Sequence, residues 1–191
     1  VLHSSDIPDT TDHLVDYDRV AEVIGSGKEK VSVRLEDRLR VDFRYCDEKN
    51  FGAALMYFTG SKSHSITLRS RAVERDWKLN EYGLFKGDHL LAARTEEAVF
   101  HRLNCDWIPP ELREDRGEVE AAASGELPNL VQLSDIQGDL QSHTDQSDGQ
   151  NPLQEMAQAA AERGHQYLAI TDHARTVHVA QGLDERELRE H

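Results

Sequence analysis

The sequence has 191 residues, 38% of them hydrophobic and 30% charged, which is enough to bury a core in one or two domains. Its 36 acidic and 22 basic residues give a net charge of −14, so any contact with DNA has to come from a local basic patch. No apolar run approaches the roughly 18 residues of a membrane helix and no signal-peptide pattern is present, which leaves a membrane or secreted placement without support. Cys46 and Cys105 lie far apart without a CxxC spacing, and we expect reduced core thiols in a cytoplasmic protein.

The first part of the sequence predicts a helix followed by a β-hairpin. Apolar residues recur at helical spacing over residues 11–25, and Gly25 stands where a glycine ends a helix. Strict alternation over Val31–Leu35 predicts a strand, and Leu39–Tyr45 predicts the second arm of the hairpin after a polar turn.

The second arm of this hairpin carries charges on one face. A period of two places Arg40, Asp42 and Arg44 on one side of the strand and the apolar residues on the other. A carboxylate between two guanidinium groups on an open sheet face suits a metal ion or a phosphate group. The alternative is a solvated face with an Asp–Arg pair, and the strand alone leaves both open.

A locally basic segment follows the hairpin. Phe51–Phe58 is a compact apolar run that predicts a helix, and Lys62–Arg75 predicts a second helix capped by Ser61 or Ser63. Free N–H groups and the helix dipole favour an anion at such an N-terminus. Residues 60–78 contain five basic and two acidic side chains, which suits a phosphate backbone, although an ordinary amphipathic surface helix has the same composition.

The last third of the sequence changes in character. Residues 111–134 are charged and then polar or Ala-rich, and we expect a connector with one short helix at a domain boundary. Beyond it, Pro152–Arg163 has a helical apolar stripe and Tyr167–Ile170 predicts a buried strand. Strand, polar loop, helix, strand and polar triplet form a βαβ pattern, with chemistry expected at the C-terminal ends of the strands.

The motifs in the first 85 residues resemble the end of the palm and the thumb of family X DNA polymerases, including the intervals between motifs. The motifs are Arg40-Val-Asp42-Phe-Arg44, Tyr57-Phe-Thr-Gly-Ser61, Arg69 and Leu79-Asn-Glu-Tyr82. The segment from Ile108 to Glu114 resembles the connector of the bacterial members.

The later motifs resemble the opening of a polymerase-and-histidinol-phosphatase (PHP) metal domain, which follows the polymerase in bacterial members of the family. They are Gly138-Asp-Leu-Gln-Ser-His-Thr144, Ser147-Asp-Gly149 and Thr171-Asp-His173. The resemblance implies an α+β nucleotidyltransferase-type palm and thumb followed by the first βαβ unit of an α/β PHP barrel. The implied boundaries are palm 1–46, thumb 47–110, connector 111–134 and PHP 135–191.

The resemblance also implies roles in the polymerase part. Asp42 matches a palm carboxylate that helps to hold a pair of Mg²⁺ ions, and Arg40 is expected to keep it ionised and oriented. Ser65 stands where relatives often carry an Asn that contacts the base. The implied nucleotide-binding residues are Tyr57, Phe58, Gly60, Ser61 and Ser65, and the implied DNA-binding residues are Arg69, Asn80, Glu81 and Tyr82.

In the PHP part, His143, Asp148 and His173 match metal ligands, and the implied metal is Mn²⁺ or Zn²⁺. Gln141 stands where the family usually has the first histidine of a His-x-His pair. A glutamine offers only a neutral amide oxygen, which is a poorer ligand for these metals than imidazole.

The resemblance implies a DNA-directed DNA polymerase that fills gaps in DNA repair, including base excision repair, with an attached PHP 3′–5′ exonuclease or phosphoesterase. Gapped or primer-template DNA and deoxynucleoside triphosphates are the implied partners of a monomeric cytoplasmic protein, located at the bacterial nucleoid during repair. One alternative is a PHP phosphoesterase whose polymerase half only binds DNA. Another is a DNA-binding module without activity.

The two ends of the sequence predict a piece of a longer protein. The chain opens on Val1 without a methionine and stops at His191 inside a helical pattern. The paired Asp-x-Asp that supplies the other palm carboxylates is expected just before Val1, and most PHP ligands after His191. We therefore expect no polymerase activity from this chain by itself.

Overall fold

The computed structural model describes residues 1–3, 6–176 and 182–190. It divides into two compact units, Val1–Pro128 and Asn129–His191, which are called unit 1 and unit 2 below. None of the helices in the described ranges is long and apolar enough to cross a membrane. Cys46 and Cys105 are free thiols, and Cys105 is buried.

Unit 1 begins with a helix and a three-stranded antiparallel sheet. These elements are α1 (Ile7–Val15), β1 (Val20–Ser26), β2 (Lys30–Leu35) and β3 (Arg40–Arg44), in the spatial order β1-β2-β3. The predicted hairpin is confirmed as β2 and β3, in which Ser32 lies opposite Asp42. Val31 and Val33 form the centre of the small core beneath the sheet.

The predicted helix over residues 11–25 is wrong in its second half. The helix starts earlier, where the Asp6 side chain accepts a hydrogen bond from the backbone N–H of Asp9, and ends at Val15. Residues 20–26 are instead the strand β1, which pairs with β2 through two register shifts. Such irregularities interrupt the two-residue alternation, so the apolar residues of β1 show no strand pattern in the sequence.

The remainder of unit 1 packs helices on a second antiparallel sheet. The elements are α2 (Phe51–Thr59), α3 (Lys62–Val73), β4 (Lys78–Asn80), β5 (Gly83–Lys86), β6 (His89–Ala92), α4 (Glu96–Arg102) and α5 (Glu118–Ser124). The two predicted helices are confirmed as α2 and α3. A Cβ on Gly52 would overlap the backbone of Thr95, so glycine is what lets α2 lie against the start of α4.

The structure differs from the predicted connector in its packing. Arg113, Val119 and Ala122 are at most 3% exposed, and the two apolar residues belong to the same core as Leu68 and Phe100. The chain therefore remains part of unit 1 up to Pro128. The charged and Ala-rich composition of this segment did not predict its packing, because the burial of these side chains depends on partners far away in the sequence.

Unit 2 contains the predicted βαβ arrangement. Its elements are β7 (Gly138–Ser142), α6 (Leu153–Glu162), β8 (Tyr167–Ile170) and α7 (Glu185–Glu190), and β7 runs parallel to β8. Antiparallel sheets with helices in unit 1 and a parallel βαβ in unit 2 confirm the mixed fold class predicted from the sequence.

Candidate functional site

Asp42 lies on β3 with its carboxylate among cationic side chains. Arg40 Nε donates to Asp42 Oδ1 at 3.1 Å, and Lys30 Nζ lies 4.0 Å from Oδ2. The hydrogen bond with Ser32 and then that from Arg40 hold the pKa of the Asp42 carboxyl below its ordinary value. The Asp42 side chain is 42% exposed, so an ionised and oriented carboxylate is open to solvent on this sheet face.

The surroundings of Asp42 supply too few ligands to hold Mg²⁺. Within residues 1–3, 6–176 and 182–190, no group of three or more His, Cys, Asp or Glu ligand atoms includes Asp42. Mg²⁺ demands six ligands in near-octahedral geometry and binds through carboxylates together with substrate phosphates and waters. Asp42 can provide one such ligand but does not form a metal site with its described neighbours.

The connection between α2 and α3 positions the residues predicted to bind the nucleotide. Gly60 has a φ of +74°, a conformation that favours glycine, and the Gly60–Ser61 peptide bond is cis. Ser61 caps α3 as predicted, since its hydroxyl accepts from the backbone N–H of His64 at 3.3 Å. Tyr57 and Phe58 stack edge to face with ring centroids 5.0 Å apart, and both are partly exposed.

Four of the predicted residues meet in one shallow pocket of unit 1. Tyr57, Ser65, Arg69 and Asn80 line this pocket together with apolar side chains. Arg69 Nε donates to the backbone oxygen of Ser65 at 3.2 Å, which ties the two residues to one face of α3. The structure therefore brings together residues from two predicted classes, nucleotide-binding and DNA-binding.

A second cleft contains three further predicted residues of unit 1. Phe58, Glu81 and Tyr82 line a cavity of about 290 Å³ together with Arg44. The Arg44 guanidinium lies over the Phe58 ring, 5.2 Å from its centroid. Arg44 was not predicted as a site residue, although its place beside Arg40 and Asp42 in the alternation was visible in the sequence.

A buried ion pair supports the turn between α2 and α3. Arg113, 1% exposed, donates from Nη1 and Nη2 to the two carboxylate oxygens of Glu96 at 2.8 and 2.9 Å. The backbone oxygen of Arg113 accepts from the N–H of Ser61 at 3.0 Å. Burial by itself raises the pKa of Glu96, but hydrogen bonds from Arg113 and Trp107 outweigh it and the net pKa is lowered.

A second buried pair joins α3 to α5. His64 is fully buried, and its Nδ1 lies 2.7 Å from Oε1 of Glu118. Burial is the largest influence on His64 and lowers its pKa, while Glu118 and Asp115 raise it and Arg113 lowers it. For Glu118, burial raises the pKa, but the hydrogen bonds from His64 and from backbone N–H groups outweigh this effect, and the net pKa is lowered.

Acidification is expected to destabilise unit 1 in two steps. Because the folded pKa of His64 lies below its ordinary value of 6.5, the unfolded chain takes up this proton first, and stability falls as pH drops below about 6.5. Glu96 and Glu118, with folded pKa values below 4.5, add a second loss as pH falls through those lowered values. The sequence has two tryptophans, Trp77 and Trp107, both in unit 1, so urea unfolding followed by their fluorescence measures this unit.

In the His64→Gln variant the first of these two losses should disappear and the second should remain. An equal decline between pH 7 and 5.5 in both proteins would contradict the assignment to His64.

The predicted PHP ligands lie together at the C-terminal ends of the parallel strands. The ligand atoms of His143, Asp148 and His173 are within 4.8 Å of one another. His143 Nδ1 lies 3.3 Å from Asp148 Oδ1, and His173 Nε2 lies 3.5 Å from Asp148 Oδ2. His143 Nδ1 is buried without a hydrogen bond. A buried imidazole nitrogen that faces a carboxylate and is near a second imidazole fits a divalent metal of the Mn²⁺ or Zn²⁺ type.

Asp172 was absent from the predicted site, yet it holds the two ligand loops together. Its carboxylate accepts from the backbone N–H of Thr144 at 2.7 Å, from the Thr144 hydroxyl at 2.6 Å and from the Ser147 hydroxyl at 2.5 Å. Thr144 is fully buried. Gln141 is exposed on β7, two residues before His143, and its backbone N–H donates to Asp139.

Comparisons with known proteins match both units. The family model described as the DNA polymerase beta thumb matches residues 54–114, and that of the PHP domain matches residues 139–186. The chain is 38% identical to the DNA polymerase/3′-5′ exonuclease PolX of Bacillus subtilis over 183 residues, which is 94% of this chain and 32% of the relative. In these matched segments the chain is similar to the family X DNA polymerases that carry a PHP domain.

Further polymerases match smaller parts of the chain. DNA polymerase IV of Saccharomyces cerevisiae is 34% identical over 83 residues, covering 44% of this chain and 14% of the relative. The structure of Leishmania infantum polymerase beta in a ternary P/T complex has 24% identity and a TM-score of 0.46, covering 56% of this chain and 50% of that one. The chain spans about a third of the length of its B. subtilis family X relative.

The family X matches cover the predicted site unevenly. The thumb match includes Tyr57 through Tyr82, and the PHP match includes His143, Asp148 and His173. Arg40 and Asp42 lie before the thumb match. The roles of the site residues therefore stay predictions.

Proposed function

We propose that this chain contributes the end of the palm, the thumb and the start of a PHP domain to a DNA polymerase that fills gaps during repair. The observation that carries the proposal is the exposed Asp42 carboxylate, which hydrogen bonds with Ser32 and Arg40 keep ionised on an open sheet face. Gapped or primer-template DNA and deoxynucleoside triphosphates are the proposed partners of a monomer in the bacterial cytoplasm and at the nucleoid.

In this proposal Asp42 offers one carboxylate to a Mg²⁺ ion. Bound Mg²⁺ supplies charge stabilisation for the attacking and leaving oxygens of nucleotidyl transfer. Arg40 holds the carboxylate in one orientation through its Nε hydrogen bond and favours the ionised form.

The α2–α3 connection is the proposed floor of the nucleotide site. The rings of Tyr57 and Phe58 present an apolar surface on which the sugar can pack, and Gly60 allows the backbone to approach it closely. The hydroxyls of Ser61 and Ser65 lie at the N-terminal end of α3, where N–H groups favour an anion.

Arg69 of α3 and the β4–β5 turn form the proposed DNA contact. Arg69 is exposed and supplies a cation toward the template strand. The side chain of Asn80 accepts a hydrogen bond from the backbone N–H of Tyr82 at 3.0 Å, which stabilises the turn that carries Glu81. The Tyr82 side chain in this turn is half exposed.

A second function, a metal-dependent 3′–5′ exonuclease or phosphoesterase, is favoured by the cluster of His143, Asp148 and His173. A bound Mn²⁺ or Zn²⁺ supplies Lewis acidity and an activated water for phosphoester cleavage. In this unit Asp172 positions the loops, and the three ligands offer two imidazoles and a carboxylate. The exposed Gln141 is expected to weaken metal binding, since it offers an amide oxygen where the family usually has an imidazole.

Removal of one ligand is expected to abolish metal binding by unit 2. Titration of the chain with Mn²⁺ in a calorimeter should give a binding isotherm that His173→Ala loses, and Asp172→Asn should weaken affinity by about 10–100-fold because it positions the ligand loops. Gln141→His should tighten binding. The exposed His89 of unit 1 offers a matched control, since His89→Ala should bind Mn²⁺ as the wild type does. Equal affinity in His173→Ala and wild type would rule the cluster out.

A chimera separates the two functions. This chain would replace the aligned segment of the B. subtilis relative, and the purified chimera would be incubated with Mg²⁺, nucleotides and DNA carrying a one-nucleotide gap. The proposal expects addition of one templated nucleotide. If the polymerase half only binds DNA, 3′-end removal alone is expected. The unmodified relative, assayed in parallel, gives the reference rates.

A further inference from the structure

The loop of residues 113–118 is attached to α3 at three positions along one face. The α3 residues recur every three positions, as neighbours on one side of a helix do. The contacts are Ser61 N–H to Arg113 O at 3.0 Å, His64 Nδ1 to Glu118 Oε1 at 2.7 Å, and Thr67 Oγ1 to Asp115 Oδ1 at 2.9 Å.

The first half of α3 has little apolar attachment of its own. Buried residues of the helix are His64, Leu68 and Ala72, so the two apolar ones lie in its second half. Ser61, Lys62, Ser63 and Ser65 are polar, and the apolar side chain of Ile66 is 46% exposed. The start of α3 is therefore held by polar contacts, and His64 is the only fully buried side chain among them.

The hydrogen bond between His64 and Glu118 has a fixed acceptor position and a single donor atom. Glu118 is 7% exposed, and its carboxylate also accepts from the N–H of Asp115 at 3.0 Å and from that of Arg116 at 2.7 Å. Its position is thus fixed by its own loop. At 2.7 Å from a carboxylate oxygen, His64 Nδ1 carries the hydrogen and donates, while its buried Nε2 has no partner. Glu118 is thus the hydrogen-bond partner of the imidazole, whose ring also lies 6.2 Å from the ring of Phe100.

We propose that His64 is a positioning residue whose bond to Glu118 fixes the first half of α3, and with it Ser65 and the Ser65 carbonyl oxygen to which the Arg69 side chain bonds. Ser65 follows His64 directly, and Arg69 bonds to the Ser65 carbonyl oxygen, so a shift or rotation of this half moves both. The second part of this inference rests on the proposed contact of Ser65 and Arg69 with nucleotide and template.

Hydrogen–deuterium exchange of the chain tests the first part without any activity. His64→Leu keeps most of the volume but removes the donor, and amides of residues 62–69 should exchange about tenfold faster, while those of β4–β6 change little. His64→Asn retains a donor near the place of Nδ1 and should restore most of the protection. Thr67→Val, which removes the exposed contact on the same face, is the matched control and should change exchange by less than about twofold.

Fluorescence anisotropy on gapped DNA tests the second part. His64→Leu should weaken binding by about tenfold, with recovery in His64→Asn. Uniformly faster exchange throughout unit 1, or no recovery of DNA affinity and amide protection in His64→Asn, would mean that His64 only fills the core. Either result would overturn the inference. Unchanged exchange at 62–69 would also overturn it. If the wild type fails to bind gapped DNA, the proposed function fails, and exchange alone decides the role of His64.

Should His64→Leu not fold, Glu118→Gln provides the second variant. It keeps the shape of the acceptor but removes the charge that the loop and His64 share. Faster exchange confined to residues 62–69 and 113–118 would support the proposal, and an unchanged pattern would contradict it.

Discussion

Replacing Arg113 with leucine is expected to lower the free energy of unfolding of unit 1 by about 3–5 kcal/mol. The guanidinium is buried and makes two hydrogen bonds to Glu96, so its removal leaves a carboxylate inside the core without its counter-charge. It also abolishes the bond from Arg113 Nε to the Ile108 carbonyl oxygen at 2.9 Å. Urea unfolding followed by tryptophan fluorescence measures the change.

Two variants control this experiment. In the double variant Glu96→Leu/Arg113→Leu no buried charge remains unpaired, and most of the loss should be recovered. Arg94 pairs with Glu48 at the surface, where both side chains are more than 60% exposed, and Arg94→Leu should cost less than about 1 kcal/mol. A comparable cost for Arg113→Leu would mean that the buried pair contributes no more than a surface pair.

Replacing Asp42 with asparagine is expected to lower the rate of gap filling by the chimera on the order of 10³-fold, or about 4 kcal/mol in the activation barrier. Asparagine has nearly the same shape but lacks the negative charge that a Mg²⁺ ligand supplies. Its side chain is partly exposed at the edge of the charged face, so the sheet should remain intact. Single-turnover insertion into a one-nucleotide gap measures the rate.

DNA affinity and end removal separate this effect from misfolding. Both should stay within about twofold of the parent chimera, because Asp42 is proposed to act on the reacting nucleotide and not on DNA binding or the PHP unit. Asp47, an exposed acid paired with Lys49, provides a matched control in Asp47→Asn, which should fill gaps at the parent rate. A rate in Asp42→Asn within tenfold of the parent would remove Asp42 from the proposed site.

The parts of the structure that the sequence predicted depend on short-range periodicity. The β2–β3 hairpin and the βαβ unit follow from alternation and helical stripes, and the placement of Arg40 beside Asp42 follows from two-residue spacing on one strand. His143 and His173 could be placed at one sheet edge because both follow parallel strands. The strand β1 was missed since its irregular pairing removes the alternation.

The buried polar network was beyond sequence reasoning for a different reason. Arg113 and Glu96 are 17 positions apart, and His64 and Glu118 are 54 positions apart. Each of these residues looks like a surface group in its own segment, because charged and titratable side chains are rarely buried unless paired. The pairing partner appears only when the chain has folded, and with it the burial of Arg113 and Glu118.

The Asp172 carboxylate has a consequence for how unit 2 would exchange its ion. The loop between β7 and α6, which carries His143 and Asp148, is joined to the loop after β8 by three hydrogen bonds that do not depend on a metal. An ion bound there would find its ligands preorganised, so a chelator should strip it and a second ion replace it without refolding. Small zinc domains behave differently, since their folding free energy is supplied by the metal.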